Sequence, residues 1–193
     1  MRILAGVHKG RTLLSPPGGG AARPITGRAK KSLFSMLGER LAGATVVDLY
    51  CGTGTLGLEA ISRGASRCFF ADRDWAVLAR LRRNIAALGV AEQAEIWRGD
   101  VAADLPGWLA GFDGPIHIAF VDPPYRQTQR WDWRAAADRI FSALSDRLAA
   151  DGLIVLRTPR KIAPPTAGPL VVVRTRTFGD MAILLLGRAE EGE

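Results

Sequence analysis

The sequence predicts an α/β domain built on a mostly parallel sheet with helices on both faces. Three observations carry this expectation. From residue 45 onward short apolar runs alternate with segments of helical period, the first of those runs ends in a glycine-rich turn, and the last two are separated by Gly179-Asp180 in the manner of an antiparallel hairpin. At 193 residues one domain is the expectation, and a hydrophobic fraction of 48% is enough for a sizeable core.

Residues 1–14 gather β-branched and apolar side chains around Gly6 and Gly10, the pattern of a short hairpin with basic residues on it. The Pro- and Gly-rich stretch 15–24 can hold neither a helix nor a central strand and is expected to be a loop. Thr26 is placed to cap a helix running to about residue 41, with Leu33, Phe34 and Leu37 turned inward. Strands are expected over 45–50, 67–71, 94–98, 116–121 and 153–157, with helices over 55–62, 75–88 and 133–149 between them. The runs 170–175 and 182–186 complete the sheet as a hairpin. The expected division is a basic N-terminal hairpin and loop over 1–24, followed by the sheet domain over 25–193.

Charge is unevenly spread. Residues 1–40 carry eight basic side chains against Glu39 alone, which accounts for the whole net charge of +7, while the other 153 residues hold 18 of each sign. A neutral body with a basic front end fits a polyanionic partner, nucleic acid ahead of membrane. No apolar run approaches the roughly 18 residues of a membrane span. The opening residues meet His8, Lys9 and Arg11 too early for a signal-peptide core. Cys51 and Cys68 form no paired framework and two histidines do not suggest zinc, so the expectation is a reduced, cytoplasmic protein without a metal; a monomer is expected alongside.

The first apolar run leads into Val46-Val47-Asp48-Leu49-Tyr50-Cys51-Gly52-Thr53-Gly54-Thr55-Leu56-Gly57, a G-x-G-x-x-G pattern between a strand and a helix. Glycines there let the chain turn tightly and bring backbone N–H groups against a nucleotide-type ligand. Asp72, at the end of the second strand, can accept from both hydroxyls of a ribose, which NAD and S-adenosylmethionine share. Asp100, ending the third strand, is placed for an adenine amino group. Asp48 lies beneath the loop, where a carboxylate needs a donor or cation: the amino group of a methionine moiety, or the loop amides themselves. Acidic residues after three successive strands favour adenosylmethionine over a dinucleotide.

The fourth strand runs into Asp122-Pro123-Pro124-Tyr125. Two prolines stiffen the turn and leave carbonyls free to accept. The Asp122 carboxylate and the Pro123 carbonyl can then take both hydrogens of an exocyclic amine, turning the nitrogen lone pair toward an electrophilic methyl, while Tyr125 offers a stacking face. Positioning of nucleophile and methyl donor in line supplies most of such a catalysis. Lys9, Arg11, Arg23, Arg28 and Lys30 on the front end, with Arg126 beside the turn, are the expected phosphate contacts.

Taken together these residues resemble the RsmD family of bacterial small-subunit rRNA methyltransferases. The likeness runs through Arg2-Ile3-Leu4-Ala5-Gly6, Lys9-Gly10-Arg11, Arg23-Pro24-Ile25-Thr26, Leu33-Phe34, the stretch from Asp48 to Ala60, and Asp122-Pro123-Pro124-Tyr125. The resemblance implies a Rossmann-like class I methyltransferase sheet of seven strands, S-adenosylmethionine as donor, and an N-terminal hairpin that engages rRNA or the assembled small subunit. It also implies that Asp48, Cys51, Gly52 and Gly54 belong to the cofactor loop, Asp72 to the ribose and Asp100 to the adenine. The target implied is the N2 amine of guanine 966 in 16S rRNA. One departure is visible. Thr26-Gly27-Arg28-Ala29-Lys30-Lys31 lacks the two acids the family usually carries there, and their contacts do not transfer. A DNA adenine-N6 methyltransferase would share the amine clamp, and an RNA-binding assembly factor without turnover would share the front end.

Overall fold

In the computed structural model of the protein, residues 1–19, 25–124, 135, 137–161 and 169–189 are described. Seven strands form one sheet: β1 Thr45–Leu49, β2 Arg67–Asp72, β3 Ala94–Arg98, β4 Ile116–Val121, β5 Leu148–Pro159, β6 Leu170–Phe178 and β7 Met181–Arg188. Their order is β3-β2-β1-β4-β5-β7-β6. The first five strands pair in parallel, and β7 runs antiparallel to both β5 and β6. This is the mostly parallel, seven-stranded sheet with a C-terminal hairpin that the sequence predicts. Strand order reverses between β1 and β4, so a crevice opens at their carboxyl ends.

The helices are α1 Gly27–Leu37, α2 Gly57–Ser62, α3 Trp75–Leu88, α4 Val101–Ala110 and α5 Ser142–Arg147, the last preceded by a π-helical turn over Ala137–Phe141. Alternate strand residues feed two separate cores. Val46, Phe70, Ile118, Phe120, Val155 and Ile183 meet the inward faces of α1, α2 and α3. Val47, Leu49, Ala71, Ala119, Val121 and Leu184 meet α4 and α5 on the other side. Local chemistry sets the helix ends: the Thr26 hydroxyl accepts from the Ala29 N–H at 3.2 Å and Asp74 from the Ala76 N–H at 2.8 Å. No helix among the described residues is long and apolar enough to cross a membrane.

Two elements differ from expectation. Helix α4 lies where the sequence analysis places no element, and it carries Pro106 in its interior. Asp100 caps its start through the Ala102 and Ala103 amides, and Val101, Leu105 and Leu109 bury one face. The helix expected to reach residue 149 ends at Arg147, since Leu148 already pairs with Ile116 of β4 as β5 begins. The expected N-terminal hairpin is short: one antiparallel bridge, Arg2 to Thr12, flanked by backbone hydrogen bonds from Leu13 to Met1, Ile3 to Arg11 and Gly10 to Ile3.

That N-terminal segment is fastened to the body. Ile3 and Leu13 lie in the first core. The Leu4 and Ala5 amides donate to the Glu59 carboxylate at 2.7 and 3.0 Å, and that fully buried group also holds Lys30 Nζ at 2.8 Å and Arg63 Nε at 2.9 Å. At Gly6, φ is +82°, and any Cβ would fall 1.6 Å from the Ser62 carbonyl oxygen, so only glycine admits this approach.

Candidate active site

The glycine turn, β2, β4 and β5 converge on the crevice. Tyr50 opens the turn with φ at 60°, an uncommon strain for a bulky side chain and one that clusters at functional sites. Gly52 and Gly54 follow with φ of 55° and 82°. A Cβ on Gly52 would meet nothing within 4 Å, so the turn's backbone lies open. Gly57 serves packing instead: a Cβ there would stand 2.3 Å from the Phe70 ring and 2.5 Å from Cys68 Sγ. The three glycines of one motif thus answer different demands.

Two chambers adjoin over this turn and share Pro16, Tyr50, Gly52 and Asp122. The larger, about 390 Å³, extends to Asp72, Arg73, Gly99, Asp100 and Val101 at the ends of β2 and β3. The smaller, about 90 Å³, extends to Met1, Ile25, Asp48, Thr53 and Arg157. The structure therefore brings Asp48, Cys51, Gly52, Asp72, Asp100 and Asp122 to one crevice.

Each carboxylate also has structural work. Asp72 accepts from the Gly52 N–H at 2.9 Å and the Asp74 N–H at 3.0 Å, which ties β2 to the glycine turn. Asp100 caps α4 and lies 3.5 Å from Arg73. Asp48 accepts from the Gly57 N–H at 2.8 Å, so the loop-amide alternative is realised by one of its oxygens. Burial, foremost, together with Asp122 and Asp72, pushes the Asp48 carboxyl up to about 8, against the Gly57 hydrogen bond and Lys30. Among the described residues the Thr53 hydroxyl oxygen is buried without a hydrogen-bond partner. Cys51 is buried, its thiol pushed up by burial and by Asp48, which suits lining rather than attack.

Asp122 lies in the turn after β4, beside Tyr50 on one side and Arg157 of β5 on the other, and Arg157 Nε donates to its Oδ1. Burial raises the Asp122 carboxyl and Arg157 draws it back. Sequence reasoning missed Arg157 and Tyr50. A single arginine closing the apolar run Leu153-Ile154-Val155-Leu156 was the available sign for the first. Nothing in the sequence announced the positive φ of the second.

Of the expected phosphate contacts, Lys9, Arg11 and Arg28 are exposed, Arg11 resting its Nη2 on the Ala87 carbonyl at 2.6 Å. Lys30 requires correction. It is 3% exposed, paired with Glu59 and hydrogen-bonded to the Arg2 carbonyl, so its charge is spent inside the protein. Tyr125, Arg23 and Arg126 lie outside the described residues. Asn84 links the arm to the site, accepting from the Leu14 N–H and donating to the Thr53 carbonyl at 3.0 Å.

A family model described as Conserved hypothetical protein 95 matches residues 1–187. The chain is 32% identical over 196 residues to the Ribosomal RNA small subunit methyltransferase D of Escherichia coli strain K12, covering 100% of this chain and 92% of that one. It is 34% identical over 183 residues to YlbH of Bacillus subtilis, covering 93% and 94%. Among solved structures, yhhF from Escherichia coli superposes with a TM-score of 0.79 at 31% identity over 97% of both chains. A hypothetical protein of Thermus thermophilus gives 0.79 at 28% identity, over 97% of this chain and 99% of that one.

Proposed function

The chain belongs to the family of Conserved hypothetical protein 95, the RsmD-type methyltransferases, and from that premise we propose that it transfers a methyl group from S-adenosylmethionine to the N2 amine of guanine 966 in 16S rRNA. The observation that carries the reading is the position of Asp122 on the boundary between two adjoining chambers, one bounded by Asp72 and Asp100 and the other by Asp48 and Arg157.

The residues present fit the donor. A cleft of about 390 Å³ lies within the range of small-ligand sites. Carboxylates at its far end suit ribose hydroxyls and an adenine amine, and a buried carboxylate beneath the turn suits a cationic methionine moiety. When bound, the donor supplies an electrophilic methyl on a sulfonium. Asp72 would hold the ribose while keeping the Gly52 amide in place, and Asp48, releasing its proton to solvent, would face the ligand's positive charge. Asp122, steadied by Arg157, accepts from the guanine amine together with the Pro123 carbonyl, and Tyr125 supports the ring. With the amine so placed, Asp122 would pass its proton to water as the methyl leaves the sulfonium, whose sulfur departs as a neutral thioether. Residues 1–24 and the start of α1 form the RNA-binding extension, with Lys9, Arg11, Arg23, Arg28 and Arg126 as phosphate contacts.

Small subunits from a cell lacking the enzyme, incubated with the protein and methyl-labelled donor, test the assignment. Label on guanine N2 supports it, and label on no guanine removes it.

A further inference from the structure

We propose that the exposed arginines of β6, together with Arg160 and Lys161 just after β5, form a second RNA-backbone contact surface beside the catalytic edge. This rests on the reading of the protein as an rRNA methyltransferase, and it assigns the substrate a surface outside the basic front end.

Strand β6 is the outer strand of the sheet, and its residues from Val171 through Thr177 are exposed. Residues paired across a sheet point to the same face. Arg174 pairs with Leu185 and Arg176 with Ile183, both members of the first core, so the two arginines stand on the face that carries α1 and the N-terminal segment. Arg157 pairs with Ile183 from the opposite side. A single row of the sheet thus runs from Asp122 through Arg157 and Ile183 to Arg176. At three strand spacings, Arg176 is about 14 Å from Asp122.

The two halves of the crevice fix which way the substrate lies. Asp72 and Asp100 stand over β2 and β3, on one side of Asp122. A base held at Asp122 must therefore arrive from the side of β4 and β5, and its flanking nucleotides then extend toward β7 and β6. The charge on that side is mostly of one sign: residues 158–187 hold four basic side chains, Arg160, Lys161, Arg174 and Arg176, against Asp180 alone. Among the described residues no carboxylate lies within ion-pair distance of Arg160, Lys161, Arg174 or Arg176.

A polyanion suits this edge better than a second copy of the chain does. The pairing with β7 shifts register between Val172 and Arg174, a bulge on the open strand. Bulges and charged side chains are the devices that keep a free edge from pairing with another. Two such edges brought together would also oppose arginine to arginine.

The test uses the full chain, a fluorescent small-subunit rRNA transcript and, separately, purified small subunits lacking the methyl group. Arg174→Gln/Arg176→Gln is compared with Arg82→Gln/Arg83→Gln, which removes the same charge from the exposed side of α3. Each phosphate contact contributes roughly 0.7–0.9 to the slope of log affinity against log salt, so the β6 pair is expected to flatten that slope by about 1.5. Its Kd near physiological salt should rise about tenfold, with donor affinity and kcat at saturating RNA unchanged. A slope equal to the wild type's, or an equal loss in the α3 pair, overturns the proposal. So does a wild-type dimer that the β6 pair dissolves without altering the slope, which would assign the edge to a second copy. Wild-type protein that binds neither the transcript nor the particle overturns the functional reading itself.

Discussion

Replacing Asp48 by asparagine separates what this carboxylate does to the fold from what it does for a ligand. The group is 1% exposed and its carboxyl is pushed up to about 8, chiefly by burial, from an ordinary value of 3.8. Between those two values the folded chain keeps a proton that the unfolded chain has shed. Each rise in pH across that window therefore favours unfolding, and above about 8 this group's contribution stops changing. Four units at about 1.4 kcal/mol each set a ceiling of about 6 kcal/mol. Relaxation and water penetration around buried charges reduce the working figure to about 2–3 kcal/mol. Asparagine keeps an oxygen for the Gly57 N–H and carries no charge. Urea unfolding followed by tryptophan fluorescence is expected to show Asp48→Asn little different from wild type at pH 5 and more stable by about 2–3 kcal/mol at pH 9. A difference that does not change between those pH values refutes the reasoning. The same variant should bind S-adenosylmethionine more weakly in calorimetry, because the negative group facing a cationic ligand is gone.

Three further expectations concern the supports of the site. Glu59→Gln leaves Lys30 buried without its carboxylate and should cost about 3–5 kcal/mol in urea unfolding, with Lys30→Met added to it recovering most of the loss. Gly57→Ala forces a Cβ against Phe70 and Cys68 and should cost about 1–3 kcal/mol, seen as a drop of several degrees in Tm. Arg157→Gln removes the cation that opposes burial at Asp122, so that carboxyl rises further and the acid limb of the pH–rate profile moves to higher pH. An unmoved limb would detach Arg157 from the action of Asp122.

The sheet was legible because each strand announces itself locally. Apolar runs such as Ile116–Val121 are bounded by turn residues, and Thr26 stands where a cap must. The glycine turn was legible in place but not in detail, since the separate duties of Gly52 and Gly57 depend on what packs above them. Helix α4 was missed, and it carries Pro106 in its interior, a residue whose local preference is overruled by the cap at Asp100 and three buried apolar side chains. Lys30 was misread because its sequence neighbours are basic, whereas its partner Glu59 lies 29 residues away. Arg157 joins Asp122 only through the pairing of β4 with β5. Ion pairs between distant segments leave no periodic trace in a sequence, and the Asp122 side of the crevice is closed by one of them.

Nucleoside analysis of rRNA from enzyme-deficient small subunits, after incubation with methyl-labelled S-adenosylmethionine and either wild type or Asp122→Ala, tests the central claim most directly. The account predicts labelled N2-methylguanosine with the wild type and its loss with Asp122→Ala. Label on an adenine, no label at all, or undiminished transfer by Asp122→Ala would contradict it.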